Sequence, residues 1–325
     1  MQVAFDILPI LHDGKFHSGT SLAMKLKVSR SSIWKAITFL RSLDVQIQAI
    51  SGKGYRWSNP FELIDKNEIS AKLNANTKQA FKRLDIVNVL PSTNDYLLSR
   101  IAHDIPSGTV CTSEAQTAGK GRMGRAWRSP FGANIYLSFY WRFACKLHDL
   151  SGLSLVVGLA VLSALQEIFY LPPGLGIKWP NDIWFDEKKL CGILIESMSQ
   201  STSQLYIDVV VGIGMNVNMP HEIKESSWTC LKRVCGVGLS RNLLIATMLN
   251  KLAPMLACFE REGFCAFSHL WAQYDLLKDK NIELCSPKEK QLGIAQGVNE
   301  RGELCVKIGN SLKAIRYGEV SIRPE

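Results

Sequence analysis

The most informative segment of the sequence is GKGRMGRAW, which runs from Gly119 to Trp127. Its three glycines match G-x-G-x-x-G, the pattern of a dinucleotide-binding loop. In a Rossmann fold that loop opens a helix, and an acidic residue follows about 20 residues later. Here a predicted strand follows at 133–141, and residues 115–148 contain six Lys or Arg and no Asp or Glu. The stretch therefore excludes a Rossmann fold and indicates a basic loop in another α+β architecture.

Two other phosphate-binding loops are excluded as well. The chain has no G-K-[ST] triplet, as a P-loop requires, and neither of the H-R-D and D-F-G motifs of a protein kinase. Glycines let a backbone fold around an anion, Arg122 and Arg125 bring positive charge to it, and Trp127 offers a flat face to a purine. We expect an anion-binding loop that is mobile when empty and ordered by its ligand, the alternative being a basic loop without any ligand.

A second motif is KWPND, from Lys178 to Asp182, followed by KKLCGIL at 188–194. A Lys, an Asn and an Asp in a turn at a strand end can serve phosphates and Mg²⁺. Lys189 leads into an apolar strand, which predicts that its side chain points into a site. Taken alone, each of these lysines would more often be a solvated surface residue.

The first sixty residues carry eight basic and three acidic side chains, a net charge of +5 out of +9 for the whole chain. Apolar spacing predicts three helices there, followed by a hairpin with Gly52-Lys53-Gly54 at its tip. This outline is that of a winged helix-turn-helix, whose third helix suits the major groove of DNA. The predicted DNA-binding residues are Arg30, Ser31, Trp34, Lys35 and Lys53. The alternative is a small helical module whose basic face is only solvated.

Length and texture divide the 325 residues into three predicted domains. The composition changes near Pro60 and again near Leu277, so we expect a winged helix at 1–60, a mixed α+β domain at 61–277 and a small β-barrel at 278–325. Nine cysteines without a C-x-x-C pair, and six scattered histidines, argue against structural zinc. The longest apolar run is too short to span a bilayer, and no signal peptide is recognisable, which predicts a cytoplasmic protein with no membrane partner.

Together the motifs resemble biotin protein ligases. The resemblance is carried by Ser92-Thr93-Asn94, the loop 119–127, the stretches 178–182 and 189–194, and GIGMN at 212–216, all in the family's order. With the N-terminal winged helix, the chain is similar to the bifunctional type, biotin–[acetyl-CoA-carboxylase] ligase and biotin operon repressor. The resemblance implies a central ligase domain of mixed α/β structure and a small SH3-like β-barrel at the C-terminus.

The resemblance also implies the chemistry. Such enzymes join biotin and ATP, with Mg²⁺, into biotinyl-5′-adenylate and then pass biotin to a lysine of the biotin carboxyl carrier protein of acetyl-CoA carboxylase. No enzyme nucleophile is required, so catalysis is mostly positioning and charge neutralisation. In the bifunctional type the adenylate promotes a homodimer that binds a two-half-site operator, and carrier protein and dimer compete for one surface.

The resemblance assigns roles residue by residue. Lys189 and Arg122 are the implied catalytic residues, with Lys189 bridging the biotin carboxylate and the α-phosphate. The implied biotin-binding residues are Ser92, Thr93, Asn94, Gln116, Lys120, Gly121, Arg122 and Lys189. The implied residues for ATP or the adenylate are Gly119, Arg125, Trp127, Lys178, Asn181, Asp182 and Asn216, with Asp182 also as a Mg²⁺ ligand. Two positions depart from the family, since Lys120 stands where Arg is frequent and Met123 where a basic residue is frequent.

Two rival functions remain open at this point. A lipoate–protein ligase shares the catalytic scaffold, although the glycine-rich basic loop and the winged helix favour biotin. A transcription factor whose central domain only senses a small molecule would need neither Lys189 nor the 178–182 motif. Ser92-Thr93-Asn94 can also be read as a helix cap after Pro91, and the two interpretations of that tripeptide are compatible.

Overall fold

The computed structural model describes residues 2–198, 206–219, 227–236, 238–285, 290–316 and 321–324. Its helices are α1 (Gln2–Leu11), α2 (Gly19–Leu26), α3 (Arg30–Ser42), α4 (Lys66–Lys72), α5 (Ala75–Ala80), α6 (Thr93–Ile101), α7 (Leu153–Ile168), α8 (Leu231–Cys235), α9 (Arg241–Glu262) and α10 (Ser268–Ala272). Its strands are β1 (Ile47–Ile50), β2 (Gly54–Trp57), β3 (Arg83–Leu90), β4 (Thr109–Gln116), β5 (Ile135–Phe143), β6 (Leu175–Lys178), β7 (Asp182–Phe185), β8 (Lys188–Met198), β9 (Ile207–Met215), β10 (Asn281–Cys285), β11 (Lys290–Val298), β12 (Leu304–Ile308), β13 (Ser311–Ile315) and β14 (Ser321–Pro324).

The N-terminal unit has the predicted three helices and hairpin. Serine hydroxyls begin the second and third helices, with Ser18 Oγ accepting from Ser21 N at 3.0 Å and Ser29 Oγ from Ser32 N at 3.1 Å. The apolar stripe of α3 is buried against α1 and α2, as its 3.6-residue spacing predicts. Gly54 has φ +106°, and a Cβ there would lie 2.1 Å from the His17 carbonyl oxygen. Glycine therefore lets the wing pack against the start of α2.

A seven-stranded sheet forms the centre of the molecule, in the order β3-β4-β5-β9-β8-β7-β6. Only β3 and β4 pair in parallel, and the other neighbours are antiparallel. The sequence predicts a strand at 109–116 and a long helix at 241–262, and β4 and α9 occupy those same residues. Helix α6 was indicated only by its cap at 92–94, and the four-residue strand β7 was not predicted. The mixed α+β class of the central domain is confirmed.

Helices α7 and α9 pack against each other and form the buried core with the sheet. Among the described residues, two 22-residue segments, Leu147–Ile168 and Arg241–Glu262, are long and apolar enough to cross a membrane by length and composition alone. The apolar windows of these segments are 72% and 61% buried inside the protein. Their apolar surface is therefore largely used in the core.

The winged helix is docked on the central sheet rather than separated from it. Phe131 stacks on Phe5 with ring centroids 6.0 Å apart, and Phe61 contacts both Phe131 and Trp57. Phe131 and Ala115 belong to the same buried cluster as the core of the first sixty residues. The predicted boundary at Pro60 thus falls inside a packed aromatic contact.

The C-terminal strands form a five-stranded antiparallel sheet in the order β13-β12-β11-β10-β14. A register shift between Ala295 and Val298 bends β11, as a bulge does. The inner residues Ile282, Leu284 and Val306 join the main core, so this small sheet packs directly on the central domain. The short β-strands predicted for this region are confirmed.

Candidate active site

One cavity of about 490 Å³ opens on a face of the central sheet, over β8 and β9. It is lined by residues from α6, the loop after β4, the β6–β7 turn and the start of β8. The predicted small-molecule residues that line it are Ser92, Thr93, Asn94, Gln116, Lys120, Gly121, Arg122, Arg125, Trp127, Lys178, Asn181, Asp182, Lys189 and Asn216. The fold thus brings residues from Ser92 to Asn216, which are far apart in the sequence, to one site.

Gly119 is the predicted residue that does not line the cavity. A Cβ at Gly119 would lie 2.6 Å from the Trp127 carbonyl oxygen and 2.9 Å from Gln116 Nε2. Its backbone oxygen accepts from Trp127 N at 2.8 Å. Gly119 therefore closes the base of the loop through its backbone, and its small size permits the tight approach.

Three glycines form the floor of the cavity. Gly212 and Gly214 lie two residues apart on β9 and so face the same side, and Gly192 of β8 pairs with Gly214. A Cβ at Gly212 would lie 2.4 Å from Asn94 Oδ1, one at Gly214 2.7 Å from Trp127 Cε2, and one at Gly192 2.9 Å from Lys189 Nζ. The absence of side chains thus lets Asn94, Trp127 and Lys189 lie directly against the sheet.

A buried polar network holds the end of the cavity next to α6. Ser92 caps α6 through Asp95 N, as the cap interpretation of this tripeptide predicted. Ser138 Oγ lies 2.6 Å from both Thr93 Oγ1 and Asn94 Oδ1, and Asn94 Nδ2 donates to Glu196 Oε2 at 2.7 Å. Gln116 Oε1 accepts from Thr93 N at 2.8 Å. Because each group is held by a partner, this end presents fixed donors and acceptors.

Lys189 lies between a carboxylate and an aromatic ring. Its Nζ is 2.7 Å from Asp182 Oδ1 and 5.2 Å from the centroid of the Trp127 ring. Its backbone pairs with residues 227–229, because Lys189 N donates to Ser227 O at 3.0 Å and its carbonyl accepts from Thr229 N. Asn216 fixes the same segment by donating from Nδ2 to Thr229 O at 3.1 Å. The ammonium is therefore aimed across the glycine floor from a well-anchored strand.

The glycine-rich loop is tied to both sides of the cavity. Lys120 Nζ donates to Asp95 on α6 at 2.8 Å, and Arg122 Nη1 donates to Asn181 Oδ1 at 3.1 Å on the opposite side. The hydrogen bond with Asp95 raises the pKa of Lys120. Met123 is 75% exposed with φ 56°, so it makes the tip of the loop. The loop thus spans the opening through polar contacts.

The opposite wall carries the β6–β7 turn, in which the Trp179–Pro180 peptide bond is cis. Lys178 Nζ lies 3.9 Å from the centroid of the Trp184 ring, a cation–π distance. Asn181 pairs with Ile193 through Nδ2 to Ile193 O at 2.6 Å and Ile193 N to Asn181 O at 2.9 Å. Lys178, Asn181 and Asp182 therefore share one short, well-connected turn.

Sequence reasoning missed several residues of the site. Ser138 and Glu196 lie inside strands and make the network around Asn94, and Asp95 anchors the loop. Trp184 and Trp228 also line the cavity. No local motif marks these residues, but the G-x-G spacing at 212–214 was visible and could have indicated a floor for close approach. Within the described ranges, no group of three or more His, Cys, Asp or Glu side chains could by itself hold a metal ion.

The predicted DNA-binding residues lie away from this cavity, on the N-terminal unit. Arg30, Ser31, Trp34 and Lys35 are exposed on one face of α3, and Lys53 is exposed at the tip of the wing. Trp34 keeps 60% of its surface accessible, which is unusual for so large an apolar side chain. A basic face with an exposed aromatic residue is the surface that a groove-binding helix presents.

The fold and the site define a ligase that activates a carboxylic acid with a nucleotide, joined to a winged helix-turn-helix. Comparisons with known proteins agree. Residues 86–216 match the Biotin/lipoate A/B protein ligase family, residues 3–56 an HTH domain and residues 279–323 the Biotin protein ligase C terminal domain.

Relatives and solved structures narrow the class. The chain is 35% identical over 324 residues to the bifunctional ligase/repressor BirA of Salmonella typhimurium, covering 99% of this chain and 98% of that protein. It is 32% identical over 248 residues to the biotin–[acetyl-CoA-carboxylase] ligase of Mycobacterium tuberculosis, covering 74% of this chain and 89% of that one. The structure of the biotin protein ligase from Aquifex aeolicus in complex with biotin and ATP is similar, with a TM-score of 0.65, 31% identity, and coverage of 75% and 100%.

The chain belongs to the biotin protein ligases, and it has the N-terminal helix-turn-helix repressor domain of the bifunctional type. The predicted enzyme class is thereby confirmed. The lipoate–protein ligase alternative is not favoured, because residues 279–323 match the Biotin protein ligase C terminal domain and the relative from Mycobacterium tuberculosis is named as a biotin–[acetyl-CoA-carboxylase] ligase.

Proposed function

We propose that the cavity catalyses both half-reactions of an ATP-dependent biotin–protein ligase through the residues assigned above. A biotin carboxylate oxygen attacks the α-phosphate of ATP, the bond to the β-phosphate breaks and pyrophosphate leaves. The lysine ε-amine of the biotin carboxyl carrier protein of acetyl-CoA carboxylase then attacks the carbonyl of the mixed anhydride, and AMP leaves. The observation that carries this proposal is the Lys189 ammonium aimed across a glycine floor between a polar end and a cationic turn.

Biotin occupies the end next to α6 in this proposal. Its ureido ring is neutral and has fixed donors and acceptors, which suit the hydroxyl groups of Ser92 and Thr93 and the amides of Asn94 and Gln116. The network through Ser138 holds these groups in place before biotin enters, so little ordering entropy is lost on binding. Lys120 and Gly121 close over the bound ring.

The nucleotide occupies the other end. Trp127, lying flat on Gly214, offers its ring to the adenine side, and Asn216 holds the neighbouring segment. Arg122, Arg125 and Lys178 supply positive charge for the phosphates, with Gly119 shaping the base of the loop. Lys189 neutralises the carboxylate and the α-phosphate together, which favours their approach and stabilises the negative charge that develops in the transition state.

Mg²⁺ fits this donor set only together with the phosphates. Asp182 is a lone carboxylate at the turn, and Mg²⁺ usually takes one or two carboxylates and completes its shell with phosphate oxygens and water. Asp182 would hold the ion, which supplies charge neutralisation to the leaving pyrophosphate. Its present partner Lys189 would turn toward the substrates once phosphates are bound.

The regulatory half of the proposal assigns the exposed face of α3 and the wing to operator DNA. The adenylate favours a homodimer whose two winged helices bind two half-sites, and carrier protein and dimer compete for the central domain. The net charge of +5 on residues 1–60 supports a polyanionic partner. We also propose a cytoplasmic location without a membrane partner, in agreement with the burial of both long apolar helices.

Lys189→Ala tests the catalytic proposal. We expect the variant to lose adenylate formation by at least about 100-fold, because removing one preorganised charge from a reaction centre costs about 10²–10³ in rate. Formation is measured as biotin-dependent exchange of labelled pyrophosphate into ATP, and transfer as labelled biotin on a carrier domain. Lys188→Ala, on the adjacent exposed lysine, is the matched control and should retain activity. Normal exchange by Lys189→Ala would overturn the assignment.

The same variant tests the regulatory proposal. DNA duplexes are first selected from a random pool with wild-type protein, biotin and ATP. Biotin with ATP should increase wild-type affinity for these duplexes and should leave the affinity of Lys189→Ala unchanged, since that variant makes no adenylate. Wild-type affinity that is insensitive to biotin and ATP would reject the switch and leave the ligase proposal intact.

A further inference from the structure

Trp179 lies in the middle of the 178–182 turn and lines the cavity, yet its indole N–H makes its hydrogen bond outside the central domain. Only 2% of its surface is exposed, and Nε1 donates to the carbonyl oxygen of Gly302 at 3.0 Å. Gly302 belongs to the turn between β11 and β12, in the C-terminal sheet. A residue flanked by the proposed nucleotide residues Lys178 and Asn181 is thus bonded to a different domain.

The turn is held from two other directions. Ser154 Oγ, in the first turn of α7, donates to the Pro180 carbonyl oxygen at 2.8 Å. Asn181 makes the paired hydrogen bonds to Ile193 of β8 described above. Helix α7 and strand β8 belong to the central domain, so the Trp179–Gly302 bond is the contribution of the C-terminal domain to this three-sided support.

The C-terminal turn is shaped to make this contact. Gly302 has φ +74°, and a Cβ there would lie 2.7 Å from Gly152 Cα and 3.2 Å from Leu155 Cδ1. Glycine is therefore needed both for the backbone conformation and for the close approach to the start of α7. Asn299 braces the turn, because its Oδ1 accepts from Arg301 N and Glu303 N, each at 3.0 Å.

We infer that Trp179 is a positioning residue for adenylation and that the 299–303 turn of the C-terminal domain is part of the support of the nucleotide site. Removing the indole N–H frees the turn on one side and leaves the Gly302 carbonyl without its donor in a buried place. Lys178 and Asp182 then lose their alignment on the phosphates of ATP, and small misplacements at a reacting centre are costly. This inference rests on the proposed function, which assigns the turn to phosphates.

Trp179→Phe keeps the ring and removes the N–H. We expect the KM for ATP in biotin-dependent pyrophosphate exchange to rise about tenfold, the equivalent of one buried hydrogen bond. The KM for biotin should stay within about twofold, because the groups assigned to the ureido ring lie at the end of the cavity next to α6 and bond to one another and to Ser138 and Glu196. Trp271→Phe is the matched control: Trp271 is also 2% exposed and bonded through Nε1, at 3.3 Å to Asp275, but it does not line the nucleotide cavity. Its KM for ATP should remain that of the wild type.

Gly302→Ala reaches the same turn from the other domain, and we expect it to raise the KM for ATP without changing that for biotin. The inference would be overturned if Trp179→Phe and Trp271→Phe raised the KM for ATP equally, or if Trp179→Phe raised the KM for ATP and the KM for biotin in parallel. Either result would mean that Trp179 serves stability alone. The proposed function fails separately, through a wild-type protein that shows no biotin-dependent exchange. If Trp179→Phe does not fold, Gly302→Ala and the KM ratio decide.

Discussion

Two ion pairs, one at the junction with the winged helix and one at the rim of the cavity, have similar separations but differ in burial. Arg241 and Glu114, at the junction with the winged helix, are each 2% exposed and 2.7 Å apart. Lys120 and Asp95, at the rim, are 47% and 39% exposed at nearly the same separation, 2.8 Å. Judged by distance alone, the two pairs would be equally strong. Their burial differs, because the Arg241–Glu114 pair is enclosed in the protein, whereas the Lys120–Asp95 pair is exposed to water and can open.

The two ion pairs also differ in the further hydrogen bonds that their side chains make. Arg241 also donates to the carbonyls of Asn134 and Glu62, and Glu114 Oε1 accepts from Ile64 N, so the linker after the winged helix is fastened to β4. Gln116 lies two residues further along that strand. The Lys120–Asp95 pair instead joins a loop to a helix through solvent-exposed side chains. Substrates can enter over such a rim while the junction remains fixed.

Arg241→Met is expected to have the largest effect. Removing one partner of a buried pair leaves an uncompensated charge, which costs about 3–5 kcal/mol. The free energy of unfolding in urea should fall by that amount. Arg261→Met, on the same helix but 67% exposed, is the matched control and should change stability by no more than about 0.5 kcal/mol. If Arg241→Met lowered the free energy of unfolding by less than about 1 kcal/mol, the buried pair at the junction would be no more stabilising than the exposed pair at the rim.

Gly212→Ala probes the glycine floor of the cavity, and we expect an effect of intermediate size. The added methyl would meet Asn94 Oδ1, whose position is fixed by Ser138 and Glu196, so Asn94 must move. We expect the KM for biotin to rise about 10- to 100-fold, because binding groups displaced by a fraction of an ångström lose their alignment. Gly238→Ala, at an open position, is the control. An unchanged KM for biotin in Gly212→Ala would show that the strand or Asn94 can move to accept the methyl group without harm to biotin binding.

The contrast between regions also explains what the sequence could predict. Helix α9 and strand β4 were predicted to the residue because apolar periodicity and a serine cap are local signals. Strand β7 was missed, since four residues carry too little pattern, and α6 was recognised only through its cap. The cavity residues came from motifs, whose order along the chain is visible in sequence.

Pairings between distant segments were out of reach. Ser138 lies 44 residues from Asn94 and Glu196 lies 102 residues from it, and only the register of β5, β8 and β9 brings them together. The Trp179–Gly302 bond spans 123 residues and joins two domains. Likewise, no local pattern indicates that Glu114 is buried against Arg241. Side chains whose partners depend on tertiary register require the structure.

Asp95→Asn should have the smallest effect, and it tests the rim directly. An exposed ion pair contributes about 0.2–1 kcal/mol to stability, so the free energy of unfolding should fall by less than about 1 kcal/mol. The hydrogen bond with Asp95 raises the pKa of Lys120, so the charged ammonium of Lys120 is bound to Asp95 more favourably than the neutral amine would be. Without Asp95 the loop opens more often, and release of biotinyl-5′-adenylate, measured by filter retention, should accelerate about two- to fivefold.

The exchanged variant Asp95→Lys with Lys120→Asp should restore part of the retention if attraction between the two side chains holds the loop. High salt should reduce the difference between wild type and Asp95→Asn, because exposed pairs are screened. An effect on release that persists in 1 M salt, where the Debye length is only about 3 Å, would mean that Asp95 acts by shape and not by charge.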